Sequence, residues 1–234
     1  MSIYSIKNTI DKMRAAVFTP GDITRISGVG APAVYVYINR MIKKGLLSRV
    51  EKGKLTKSDD PFEVASQIVY PSYVSFQSGL YLYGIIQQVI DRIDLATSVN
   101  HADITFNGAR VHFIRLAPDM MFGFHKVRKG GSFVFLGEKE KIILDCLLLP
   151  RYCGLDHVVA ALKEDIDVDK LLDYAAKINK EAVYRRLGYL LDLSGINHSI
   201  SRHGRTVYAL NPSSTEKGHY DKKWGLRINE DLAV

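Results

Sequence analysis

Two cysteines in 234 residues are too few for a disulfide framework, and other markers of specialised chemistry are as scarce. Cys146 lies in an apolar helical run and reads as a small buried hydrophobe, while Cys153 reads as an ordinary thiol near a loop. No stretch approaches the roughly eighteen apolar residues of a membrane span. Residues 1–7 lack the apolar centre and cleavage site of a signal peptide, so the expectation is a cytoplasmic chain with no membrane partner. Internal repeats and low-complexity segments are missing. So are the nucleophile elbow, the phosphate-binding loop, the paired-histidine zinc motif and any pair of closely spaced cysteines. The seven histidines are scattered without ligand spacing, so neither metal nor cofactor is expected.

Two acidic patterns deserve a test as catalytic carboxylates. Asp91 and Asp94 stand three apart, yet the order Ser78-Gly79 before them is not the Gly-Ser element that nucleotidyl transfer requires. Glu138-Lys139-Glu140-Lys141 places each lysine directly after its glutamate, and it reads as a solvated first helical turn. Catalysis is therefore not expected.

What the chain does have is charge in one place. The sequence carries 32 Lys and Arg against 25 acids, a net of +7. Residues 1–57 alone hold eleven of the cations and three of the acids, a net of +8, which leaves the remainder close to neutral. That asymmetry favours two domains, 1–57 and 61–234, joined at the polar stretch Lys57-Ser58-Asp59-Asp60-Pro61.

The basic segment reads as a winged helix-turn-helix. A first helix runs from Ile3 to Ala16, with apolar positions at Ile3, Ile6, Ile10, Met13 and Val17. Thr19 caps a second helix, with Asp22 where a capping box places its acid. Gly28-Val29-Gly30 makes the turn, and Pro32 opens a third helix. Val34, Ile38, Met41 and Ile42 put one apolar stripe on that helix, and Lys43, Lys44 and Gly45 end it. A short basic hairpin turning at Glu51-Lys52-Gly53-Lys54 follows. Opposite the stripe lie Tyr35, Val36, Asn39, Arg40 and Lys43. Asn and Arg suit base edges, Lys and Tyr suit phosphate, and the wing lysines Lys52 and Lys54 suit backbone or minor groove. The expected DNA-binding residues are Tyr35, Asn39, Arg40, Lys43, Lys52 and Lys54.

The rest reads as an α/β domain with an antiparallel sheet and several helices, so the fold class is α+β. A helix opened by Pro61 runs to Val69, and a second begins at Pro71-Ser72 and runs to Tyr83, with small residues Ser78 and Gly79 at a close approach. Gln87 to Ile90 leads into a strand over 91–99. Two hairpins follow, the first on Asn107-Gly108 and the second on the basic turn 128–131, giving about five antiparallel strands. Helices are expected over 138–149, 155–162, 168–178 and 181–193, the last two capped from Asp167 and Asn179. The 181–193 helix should bury Val183, Leu187, Leu190 and Leu191 and expose Arg185 and Arg186. A strand at 205–210 and a basic, aromatic stretch at 217–224 complete the tail.

Four segments in order resemble the AbiEi family, the antitoxins of type IV toxin–antitoxin systems. They are Lys44-Gly45-Leu46-Leu47-Ser48-Arg49-Val50-Glu51-Lys52-Gly53, the run Tyr70 to Gly84, Phe122-Gly123-Phe124 with Glu138 to Leu147, and Asn211-Pro212-Ser213 with Lys223 to Asn229. Gly79 stands where the family usually has alanine, and Glu140 replaces a usual small residue. The resemblance implies an antitoxin and transcriptional autorepressor in one chain. Its winged helix would bind inverted repeats in its own promoter, and its C-terminal domain would neutralise a nucleotidyltransferase-like toxin. The alternative is a stand-alone winged-helix regulator whose C-terminal domain senses a ligand or partner.

Overall fold

The computed structural model describes residues 2–87 and 91–232. Within them the chain forms α1 (Ile3–Lys12), β1 (Val17–Phe18), α2 (Pro20–Ser27), α3 (Ala31–Lys43), β2 (Ser48–Glu51), β3 (Lys54–Thr56), α4 (Pro61–Ala65), β4 (Ser72–Val74), α5 (Phe76–Leu82), β5 (Arg92–Thr97), β6 (Ile104–Phe106), β7 (Ala109–Arg115), β8 (Phe124–Lys129), β9 (Ser132–Gly137), α6 (Lys139–Leu148), α7 (Leu155–Leu162), α8 (Val168–Ile178), α9 (Glu181–Leu193), β10 (Tyr208–Ala209), β11 (His219–Asp221) and β12 (Leu226–Ile228). Two compact units result. One comprises residues 1–74, 91–115 and 126–136, the other 75–90, 116–125 and 137–234. The basic N-terminal segment thus shares a unit with most of the large sheet, rather than ending as a unit at residue 57.

In the first unit, local signals act as their chemistry dictates. Thr19 and Asp22 form the reciprocal capping box at the start of α2, and Gly28 ends that helix at φ +66°. Val34, Ile38 and Met41 of α3 pack with Ile6, Ile10 and Ile23 in one core, and Ile42 is partly buried against it. The first helix is shorter than its apolar rhythm predicts. It stops at Lys12, where the Lys57 ammonium donates to the carbonyls of Ile10, Asp11 and Met13, and Met13 is exposed. Val17 and Phe18 leave the helix to become β1, which pairs with β3 and makes the small sheet three-stranded, in the order β1-β3-β2.

The large sheet has six strands in the order β6-β7-β5-β4-β9-β8. It is mixed, not antiparallel, because β5 runs parallel to β7 and β4 parallel to β9. The sixth strand, β4, is Ser72-Tyr73-Val74, which the sequence reading placed in a helix. All three residues are buried at the middle of the sheet, where β-branched and aromatic side chains pack well. The helix begins afterwards, at Phe76. The Asn107-Gly108 turn is as expected, with both residues at positive φ. The segment 88–90 that leads into β5 lies outside the described residues.

The second unit packs α5, α7, α8 and α9 around α6, which is almost wholly buried. Ser78 and Gly79 are buried on α5. Asp167 caps α8 as expected, through the Lys170 amide. Asn179 does not cap α9; it closes α8 in the left-handed conformation, and Lys180 precedes α9 without a side-chain cap. A three-stranded sheet, β10-β12-β11, completes the unit.

Candidate nucleic-acid interface

The turn at Gly28 and the buried stripe of α3 set which face of that helix is left to solvent. Tyr35 is 57% exposed and Val36 49%, and Asn39, Arg40 and Lys43 are exposed beside them. None of Tyr35, Asn39, Arg40 and Lys43 has a hydrogen-bonded or ionic partner among the described residues. Donors and cations thus stand along one helix face with nothing among the described residues to satisfy them. Lys44 is exposed just beyond the helix, and Arg49 is exposed on β2, an addition that the expected site omits.

The hairpin splits its two lysines. Lys52 is exposed at the tip beside Gly53, which turns at φ +81°. Lys54 points elsewhere: its ammonium donates to the Ile68 carbonyl and pairs with Glu51 at 3.3 Å. With Lys57 folded back on α1, at least two of the eleven N-terminal cations serve the fold.

Most of the carboxylates weighed as catalytic candidates are engaged by partners within their own unit. Asp94 is buried, receives Arg92 at 2.8 Å and bonds His112 at 3.1 Å. Burial pushes its acidity towards the neutral form, with Arg92 opposing. Asp91 is exposed before β5. In the other unit, Glu138 accepts the Tyr174 hydroxyl at 2.6 Å, and Glu140 binds the Asp167 amide at 3.0 Å and Lys170 at 2.9 Å. The expected solvated turn is therefore wrong. Glu140 is 5% exposed, and Lys141 is completely buried against an equally buried Asp145, which also accepts the Ser75 hydroxyl at 2.7 Å.

Arg185 and Arg186 are also buried, at 1% and 6%, where exposure was expected. Arg186 donates to the Leu147 and Ala209 carbonyls, and Arg185 to those of His203, Thr206 and Gly225 and to Glu181. Burial lowers the Arg186 pKa to about 10. Helical spacing did place them off the apolar stripe, but the later tail wraps that flank. A cavity of about 570 Å³ adjoins Glu181, Tyr184, Arg185 and His203. Cys153, expected to be ordinary, is buried; a hydrogen bond from Cys146, together with His157, lowers its thiol to about 7.

The fold so defined is mixed α and β. It is similar to the crystal structure of the RV2827C protein from Mycobacterium tuberculosis, with a TM-score of 0.61 and 16% identity, covering 95% of this chain and 89% of that one. At that identity the likeness concerns the fold alone. No protein-family model and no curated protein matches the sequence.

Proposed function

We propose that this chain is a sequence-specific DNA-binding protein whose residues 1–57 form a winged helix-turn-helix, acting as antitoxin and transcriptional autorepressor without catalysis of its own. The observation that carries the DNA reading is the unpartnered face of α3, in a segment of net charge +8. In this reading α3 is the recognition helix. Arg40 and Asn39 address base edges, and Tyr35 and Lys43 hold phosphate. Lys52 touches the backbone from the wing tip, and Lys54 braces the wing. The four segments resembling AbiEi antitoxins support the second role, neutralisation of a nucleotidyltransferase-like toxin by the C-terminal part.

Two measurements test the proposal. Fluorescence anisotropy with the DNA upstream of the chain's own gene should give tight binding, and a shuffled fragment should bind far more weakly. Equal, weak binding to both would contradict the reading. For the antitoxin role, the full chain used as bait in its native host should recover a nucleotidyltransferase-like protein. The cavity beside Arg185 favours a second reading, a regulator that senses a small ligand; it predicts operator release by that ligand and no toxin in the pull-down.

A further inference from the structure

A second cationic feature lies at the turn between β8 and β9. A cleft of about 390 Å³ is lined by Arg14, Lys126, Arg128, the Gly130-Gly131 turn and Ser132, with Phe133 as an apolar wall. Arg14, Lys126 and Arg128 are exposed, and none has an ion-pair partner among the described residues. Neighbouring Lys129, by contrast, is paired with Asp60. The Lys126 ammonium sits 4.7 Å from the centre of the Phe133 ring and 5.4 Å from that of Phe135, which positions its charge without neutralising it.

The cleft's backbone is locked in place. Ser132 Oγ donates to the Arg14 carbonyl at 2.6 Å. Gln67 Nε2 donates to Ser132 Oγ at 3.1 Å and to the Phe133 carbonyl at 2.8 Å, while its Oε1 accepts the Ala16 amide at 2.9 Å. Glu63 is buried under Gly130, accepts the Ser58 hydroxyl and is not part of the cleft lining. A Cβ on Gly131 would meet nothing, so the turn's backbone is open to close approach. Three cations line one cleft with no acid in its lining, which favours an anion there. The three cations are exposed, so the cleft suits a phosphate carried on a chain better than an engulfed metabolite.

We infer that this cleft is a second DNA contact, holding phosphodiester groups of the duplex independently of base sequence; the inference rests on the proposed DNA reading. Neutralising Z phosphates gives a slope of about −0.9Z in log affinity against log salt. The test compares the full chain with Arg14→Gln/Lys126→Gln/Arg128→Gln on the upstream fragment and a shuffled one, across a salt series. The slope should flatten by about two to three, with similar losses on both DNAs, and each single substitution should flatten it by about one. Unchanged slopes, with wild-type DNA binding intact, would overturn the cleft alone. A wild-type chain that binds neither DNA would overturn the DNA reading and the cleft with it. Calorimetry with inorganic phosphate separates the sources: tight phosphate binding lost in the triple variant, with DNA slopes unchanged, would make this a small-anion site and overturn the inference.

Discussion

The Trp224 indole nitrogen donates to Asp192 Oδ2 at 2.6 Å, one turn along α9 from Gly188, whose missing side chain accommodates the same ring. A Cβ at Gly188 would overlap the indole, so the glycine, costly inside a helix, is required by the tail that docks there. Gly188→Ala should destabilise the chain by about 1–3 kcal/mol, through overpacking that exceeds the gain in helix propensity. Urea denaturation checks this, and a more stable variant would refute it.

Asp192 gives the same contact a pH signature. Partial burial works against its carboxylate, but hydrogen bonds from Lys223, Trp224 and His198, with the Lys223 charge, hold it below the usual carboxylate range. Its contribution is therefore fully present above its unfolded value, near 3.9, and is lost as pH falls through the lower folded value. Asp192→Ala should cost about 1–3 kcal/mol at neutral pH, because it leaves the buried Trp224 N–H unpaired. The gap from wild type should narrow below about pH 4. A gap that widens on acidification would contradict this assignment.

The buried Lys141–Asp145 pair was invisible as such in the sequence, although both residues stand in plain view at helical spacing. The Thr19–Asp22 capping box, the Asn107-Gly108 turn and the α3 stripe are set by neighbours a few residues away, and those were legible. Burial of Lys141, Arg185 and Arg186 is set by segments distant in sequence. Ser75 lies 70 residues before Asp145, and the Arg185 partners His203 and Gly225 lie 18 and 40 residues beyond. The parallel pairing of β5 with β7 and the insertion of β4 are long-range in the same way. A short apolar run such as Tyr73-Val74 carries no period that separates helix from strand. On α3, the exposure of Tyr35, Asn39, Arg40 and Lys43 was readable because it follows from the stripe. The contact of Lys54 with the Ile68 carbonyl was not readable, because it is tertiary.

Removing one member of that buried pair should be far worse than removing both. Lys141→Met alone should cost about 3–5 kcal/mol, by leaving an uncompensated carboxylate in the core. Lys141→Met with Asp145→Leu should recover most of it. A double-mutant cycle by chemical denaturation reads the coupling, and additive losses would show that the pair is not a unit.

Gln67 joins three backbone stretches of the first unit through one side-chain amide. Gln67→Ala strands the amide of fully buried Ala16, and should cost about 1–3 kcal/mol. Hydrogen exchange should show the Ala16 amide losing protection, whereas a merely peripheral contact would leave it unchanged.

The proposed reading of DNA by α3 can be checked by hydroxyl-radical footprinting of the region upstream of the gene with wild-type chain and Arg40→Ala. Protection should cover inverted repeats, and Arg40→Ala should lose about 1–3 kcal/mol of specific affinity, the value of one base-edge contact. A wild-type footprint that Arg40→Ala reproduces at the same concentration would contradict the role given to α3.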